Sequence, residues 1–276
     1  QTGSVVVKYG SGATFDAATY QTLVKDTDYE LDETVNNAVT IKLKDAGIAK
    51  LSAGDKVIAS VDTVINDKAI MGKDIPNDGY TIEYGHKPGN DGTKDKLPRE
   101  KEPKVVTGGK KFKKVIDGTE TALEDAVFEL HDDTTVVNWT DALIAANKEA
   151  IDAGKFAIKN GSAYEATSAA KQPTAGQPIY LRSIADGTFE IKGLEYSSWQ
   201  KQKWDTATNS IVNDGNPITH KWNLVEVKAP NGYALNSTPV EFTVNAASYF
   251  VDPTIASPVA AAPQKVNNKK VTIPQT

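Results

Sequence analysis

Short runs of β-forming residues, cut apart by glycine and Asn/Asp turns, recur along this chain and constrain it to an all-β fold. Ser4–Tyr9, Ala38–Leu43, Lys56–Val64 and Tyr80–Tyr84 read as strands in the first part. Lys111–Val115, Ala126–Leu130, Gly187–Leu194, Trp222–Val227, Val240–Val244 and Lys265–Ile273 follow in the second. One segment breaks the pattern: in Asp141–Ile151, Leu143, Ala146/Asn147 and Ala150/Ile151 share one face, which predicts a helix packed as a flap on the strands. Asp45–Leu51 reads as a short helix or turn, and Ser197–His220 as a long surface loop. Many short strands with frequent turns predict tandem immunoglobulin-like β-sandwiches, the second with a helical and loop insertion. The 276 residues suffice for two such domains.

Between them, Lys96–Lys104 is dense in charge and proline and poor in apolar anchors, the composition of a connector. The expected division is therefore 1–95, a linker at 96–108, a second domain at 109–270 and a tail at 271–276.

Composition removes several function classes. There is no cysteine, so disulfides, thiolate catalysis and Cys-ligated metals are all excluded. A net charge of -5 argues against a broad nucleic-acid surface. The three histidines, His86, His131 and His220, are widely separated, which disfavours a His-rich metal site or a His-dependent triad. No apolar run reaches transmembrane length and no signal peptide is present, so an exported form would be trimmed at both ends. Asp26, Asp28 and Glu30 alternate along a strand without the glycine-containing loop of a calcium site. A secreted hydrolase would need paired carboxylates, yet Asp132, Asp133 and Asp186 sit in turn-forming contexts. No cofactor or metal is expected.

The remaining motifs resemble a family. Lys114, in Phe112–Gly118, looks like the first-strand lysine of collagen-adhesin B-type domains, with Ala122–Leu130 following in that family's manner. Trp222–Tyr233 resembles the E-box of Gram-positive pilins, whose glutamate corresponds to Glu226. Val266–Lys270 resembles their last strand, whose asparagine corresponds to Asn268. The chain ends Ile273-Pro274-Gln275-Thr276, similar to the sorting signal that sortase cuts after threonine. Taken in this order, residues 108 to 276 look like the C-terminal domain of a sortase-assembled pilin subunit.

The resemblance implies an intramolecular isopeptide bond from Lys114 to Asn268, with buried Glu226 protonated and relaying the proton, and a mature chain joined through Thr276. It is a single maturation event, not enzymatic turnover. Strand parity supports the assignment. Phe112 and Lys114 share a face, so a buried Phe112 favours Lys114 over Lys113; Val266 and Asn268 likewise favour Asn268 over Asn267. Joining first and last strands closes a long loop and resists peeling.

Residues 26 to 84 look like the latter half of a collagen-adhesin A-type domain, in which Asn77 matches the crosslinking asparagine. Its partner lysine would precede Gln1, so the chain is expected to begin inside that domain; Lys8 matches no family lysine, and Pro76–Gly79 also reads as a plain turn. The acceptor lysine of polymerising pilins has no counterpart, since the context of Lys101 and Lys104 does not fit. The implied role is a shaft subunit of a covalent pilus, displayed on the cell wall and supporting adhesion or colonisation. Its partners would be neighbouring pilin subunits, pilus-specific and housekeeping sortases, and host extracellular matrix or mucus. The alternative is a minor base or tip subunit, or a singly anchored adhesin. Trp139, Tyr164, Tyr180, Tyr196, Trp199 and Trp204 are either a ligand surface or the packing of the insertion on the sandwich.

Overall fold

The computed structural model describes residues 3–12, 18–34, 38–66, 68–76, 81–84, 93–96, 104–205, 207–208 and 210–271. The chain forms two compact units, Gln1–Val64 and Ile65–Thr276.

In the first unit, β1 (Val6–Gly10) pairs antiparallel with β2 (Gln21–Thr22) and with β5 (Lys56–Ser60). β3 (Tyr29–Asp32) pairs with β4 (Thr40–Leu43), and the short α1 (Asp45–Ile48) follows. The core is small: Val5, Val7, Leu23 and Tyr29 are buried, with Tyr9, Leu31, Ile41 and Leu43 packed against them.

The second unit opens with four short strands: β6 (Ile75–Pro76), β7 (Thr81–Tyr84), β8 (Thr93–Lys96) and β9 (Lys104–Val105). β7 pairs with β8, and β6 with β9. Most of the expected connector, 97–103, lies outside the described residues. The body of the unit then begins with β10 (Gly108–Ile116), β11 (Val127–Asp132) and β12 (Thr135–Val136). Two helical turns, α2 (Asp141–Ala146) and α3 (Lys148–Asp152), precede β13 (Phe156–Asn160), β14 (Ala163–Ala166), β15 (Tyr180–Arg182) and β16 (Thr188–Leu194). Next come β17 (Ser198–Trp199), β18 (Gln202–Asp205), β19 (Ser210–Asn213) and β20 (Ile218–Thr219). β21 (Trp222–Lys228), β22 (Val240–Glu241) and β23 (Gln264–Asn268) complete the order.

All strands of this body but β17–β20 fall into two sheets. One has the order β16-β10-β23; the other runs β14-β13-β15-β11-β21-β22, with β12 on β11. β10 and β23 are the first and last strands of this body, and they are parallel: Phe112 faces Gln264 and Ile116 faces Asn268. Period-2 alternation drives the packing. In β10, Phe112 and Lys114 are buried while Lys111 and Lys113 are half-exposed. In β21, Trp222, Leu224 and Glu226 point to the core. Between the sheets, Phe189 stacks on Phe112 and on Phe128, both at 5.0 Å, and Phe242 meets Phe112 edge-on. Each buried Phe contributes about 1.5–3 kcal/mol of transfer free energy.

Two elements differ from the sequence expectation. The predicted single helix over 141–151 breaks at Asn147, whose φ of -106° leaves the helical region. The stretch 197–220 is not a loop: β17 pairs with β20 and β18 with β19, a hairpin nested on a hairpin.

Candidate functional site

Three strands converge on one buried point. Lys114 comes from β10 and Asn268 from β23 in one sheet; Glu226 comes from β21 in the other. Lys114 has no exposed surface, and Glu226 and Asn268 are 4% and 2% exposed. A fully buried lysine is rare in proteins unless it is paired, and this one is doubly held. Its Nζ lies 2.9 Å from Glu226 Oε1 and donates to Asn268 Oδ1. The Asn268 amide nitrogen donates in turn to the Glu226 carboxylate at 3.0 Å and to the Ala234 carbonyl at 3.0 Å. The backbone N–H of Asn236 closes the ring on Glu226 Oε2 at 2.6 Å. Below, the Phe128 ring centroid lies 5.1 Å from the Lys114 Nζ, so one side of the ammonium faces an aromatic surface and none faces water.

Local sequence fixes these positions. The Lys114 N–H donates to the Gly187 carbonyl at 2.8 Å. Gly187 has φ +78°, and a Cβ there would stand 2.4 Å from the Lys114 carbonyl oxygen, so the turn before β16 requires glycine. After β21, Pro230–Asn236 fold back as a flap over the site. It is tied to the residues following Asn268: Ala234 N–H bonds Lys269 O at 3.1 Å, and Val271 N–H bonds Gly232 O at 3.1 Å.

Burial is the main influence on Lys114 and pushes its pKa below the ordinary lysine value; Glu226 offsets part of that by hydrogen bonding and charge. The site therefore holds an amine poised to lose its proton, an amide carbonyl in contact with it, and a carboxyl group touching both. That is the constellation for acyl transfer from an amide to an amine.

The structure places the alternatives elsewhere. Lys113 is half-exposed on the opposite face and Asn267 is exposed. Asn77 and Ile273–Thr276 lie outside the described residues. Among the aromatics of the insertion, Trp139 and Tyr180 are buried in packing, and Tyr164, Tyr196 and Trp199 are half-buried; the Trp204 side chain lies outside the described set. Asp186 caps its own turn at Thr188, and Asp132 is bonded to His220 at 2.8 Å. Asp28 is buried against Lys50 at 2.6 Å, so the Asp26–Asp28–Glu30 row is no cation cage; no metal-ligand cluster occurs among the described residues. No helix in that set is long and apolar enough to cross a membrane. Two contributors have no side-chain signal at all: Ala234 and Asn236 act through their backbone.

Comparison with known proteins adds the following. A family profile described as SpaA, prealbumin-like fold domain, matches residues 108–255. No curated protein sequence matches. The major pilin GBS80 of Streptococcus agalactiae, as a 35 kDa C-terminal fragment, is 30% identical over 96% of this chain and 84% of that one, with a TM-score of 0.61. Domains D2 and D3 of the major pilin SpaD from Corynebacterium diphtheriae share the fold at 19% identity, covering 96% and 80%, with a TM-score of 0.56. The full-length major pilin RrgB from Streptococcus pneumoniae shares it at 20% identity and a TM-score of 0.50; this chain spans 64% of that protein.

Proposed function

The chain belongs to the SpaA prealbumin-like family of Gram-positive pilins, and from that premise we propose that it is a shaft subunit of a cell-surface pilus whose second unit seals itself with a Lys114–Asn268 isopeptide bond. The observation that carries the proposal is the buried contact of Lys114, Asn268 and Glu226. The uncharged Lys114 amine adds its lone pair to Asn268 Cγ, and the bond from Cγ to Nδ2 breaks. Glu226 takes a proton from Nζ and delivers one to Nδ2, which leaves as ammonia. One amide replaces another, so no co-reactant is needed. Burial favours the free amine. Contact in the folded state converts a slow bimolecular aminolysis into an intramolecular one. The reaction happens once per chain.

The same reading makes Thr276 the acyl donor that sortase joins to a lysine of the next subunit, and the cell wall the final attachment. Asn77 serves as a second crosslinking residue if its lysine lies upstream of Gln1. A role in adhesion to host matrix or mucus follows from display on a pilus.

The test is intact mass with peptide mapping. The expected result is a mass lower than the sequence by one ammonia, with Lys114 and Asn268 in one branched peptide. Lys114→Ala and Asn268→Ala should keep the plain mass. A wild-type protein of unmodified mass would overturn the crosslink and leave Glu226 a structural ion-pair partner.

A further inference from the structure

We propose that the flap Pro230–Asn236 is the positioning element of the crosslinking reaction, acting through the backbone N–H of Asn236 and the backbone carbonyl of Ala234. This inference rests on the Lys114–Asn268 reading and adds to it what orients the reacting groups.

The triad alone does not determine its own geometry. A carboxyl group on a glutamate has free rotation about its last bonds, and Glu226 has to touch two nitrogens at once. The Asn236 N–H holds Oε2 at 2.6 Å, which fixes the plane of the carboxyl and leaves Oε1 facing the Lys114 Nζ at 2.9 Å. The Asn268 amide has the opposite ambiguity: its oxygen and nitrogen can exchange places by a half turn. Ala234 removes it. A carbonyl oxygen 3.0 Å away accepts only from the NH2 end, so that end is held between Ala234 and Glu226. The oxygen end then faces Lys114, which donates to it. With this orientation the leaving nitrogen sits on the proton carrier and the carbonyl faces the nucleophile. The reverse orientation would bring the amide oxygen against the Ala234 carbonyl and the Glu226 carboxylate, acceptor facing acceptor with no donor between them.

The flap is itself held by the chain that follows Asn268. Ala234 and Gly232 bond to Lys269 and Val271, and Tyr233 bridges to Lys270. Docking of the last strand and orientation of its asparagine are therefore one event. The site becomes reactive only when residues 269–271 have zipped onto the flap, which ties the bond-forming step to completion of the fold.

The experiment uses full-length chain from cell-free synthesis, quenched over time and read by intact mass for loss of ammonia. Asn236→Pro removes the N–H. Asn236→Ala keeps it while removing the side chain, which caps the turn through Thr238 N–H at 3.1 Å. Asn236→Pro should slow crosslinking on the order of 10- to 100-fold, and Asn236→Ala should stay within about 3-fold of wild type. Each change is repeated in a Glu226→Ala background, where Asn236→Pro should leave thermal stability nearly unchanged because the acceptor is gone. Equal rates for wild type and Asn236→Pro overturn the inference and spare the crosslink. Equal slowing by Pro and Ala, or an undiminished stability loss in the Glu226→Ala background, assigns the flap a merely structural role and also overturns it. Absence of ammonia loss in the wild type removes both readings together.

Discussion

Glu226 is the residue on which the buried cluster depends. Removing it leaves the Lys114 amine inside the sandwich with no carboxylate partner, and breaking a buried pair by removing one member costs about 3–5 kcal/mol. Glu226→Ala should therefore do two separable things: abolish ammonia loss, and lower the denaturation free energy by that amount beyond what the missing crosslink explains. Comparison with Lys114→Met, which is also unlinked but leaves no unpartnered amine in the core, separates the two in urea unfolding: Lys114→Met should be the more stable of the pair. The lysine and the asparagine were singled out by the family resemblance of their motifs, and the period 2 of a strand served only to choose each over its neighbour. Phe112 and Lys114 share one face of β10, Val266 and Asn268 share one face of β23, and all four are buried, while Lys113 is half-exposed and Asn267 exposed. Ala234 and Asn236 were not legible, since a backbone group carries no mark of its use in the residue that bears it.

At the level of elements, the helical insertion is held to the sheet by Asn147. Its side-chain amide donates to Leu143 O and Lys192 O and its oxygen accepts from Lys192 N–H, all within 2.9 Å and the two with Lys192 buried. Asn147→Ala leaves Lys192 backbone groups unsatisfied and should destabilise by about 2–4 kcal/mol in urea denaturation. The same bonds explain why one helix was expected and two turns formed: apolar spacing predicts a face, while a polar residue bonding sideways to β16 ends the ladder. The nested hairpins of 197–220 were read as a loop for the opposite reason. Ile211 and Ile218 are exposed, so no buried face imposes an alternation on the sequence. That hairpin is fastened by His220, whose ring nitrogens lie 2.8 Å from Asp132 and 2.8 Å from Glu195, with Trp222 stacked at 4.8 Å. Trp199 Nε1–H and Lys221 N–H donate to the same two carboxylates, and Lys221 Nζ lies 3.7 Å from Asp133. Burial lowers the His220 pKa, but the two carboxylates outweigh it and hold the value above ordinary histidine. A raised folded-state pKa gives stabilisation that is complete below the unfolded value, about 6.5, and is lost as pH rises through the folded one. His220→Gln should accordingly lower Tm more at about pH 5 than at about pH 8.5; an equal loss at both would show that the ring contributes only by packing.

For the whole second unit, the decisive feature is that its body begins and ends on neighbouring parallel strands. Cleavage in the exposed turn at Ala207–Thr208 should test this simply. With the Lys114–Asn268 bond closed, the nicked protein migrates as one species on a denaturing gel; without it, two fragments separate. Glu226→Ala supplies the unlinked control. Lys114 and Asn268 are 154 positions apart. At roughly 3.3–3.6 Å per extended residue, the chain between them amounts to about 500 Å of stored length. With the Lys114–Asn268 bond closed, a pull on the two ends of this body would run along β10, across one side-chain bond and out through the last residues, and the intervening polypeptide would stay slack whether or not it remained folded. With that bond closed, the body of each such subunit would act as a fixed-length link in a fibre: hauling on it would tauten the tether between a cell and its surface without releasing the polypeptide between β10 and β23.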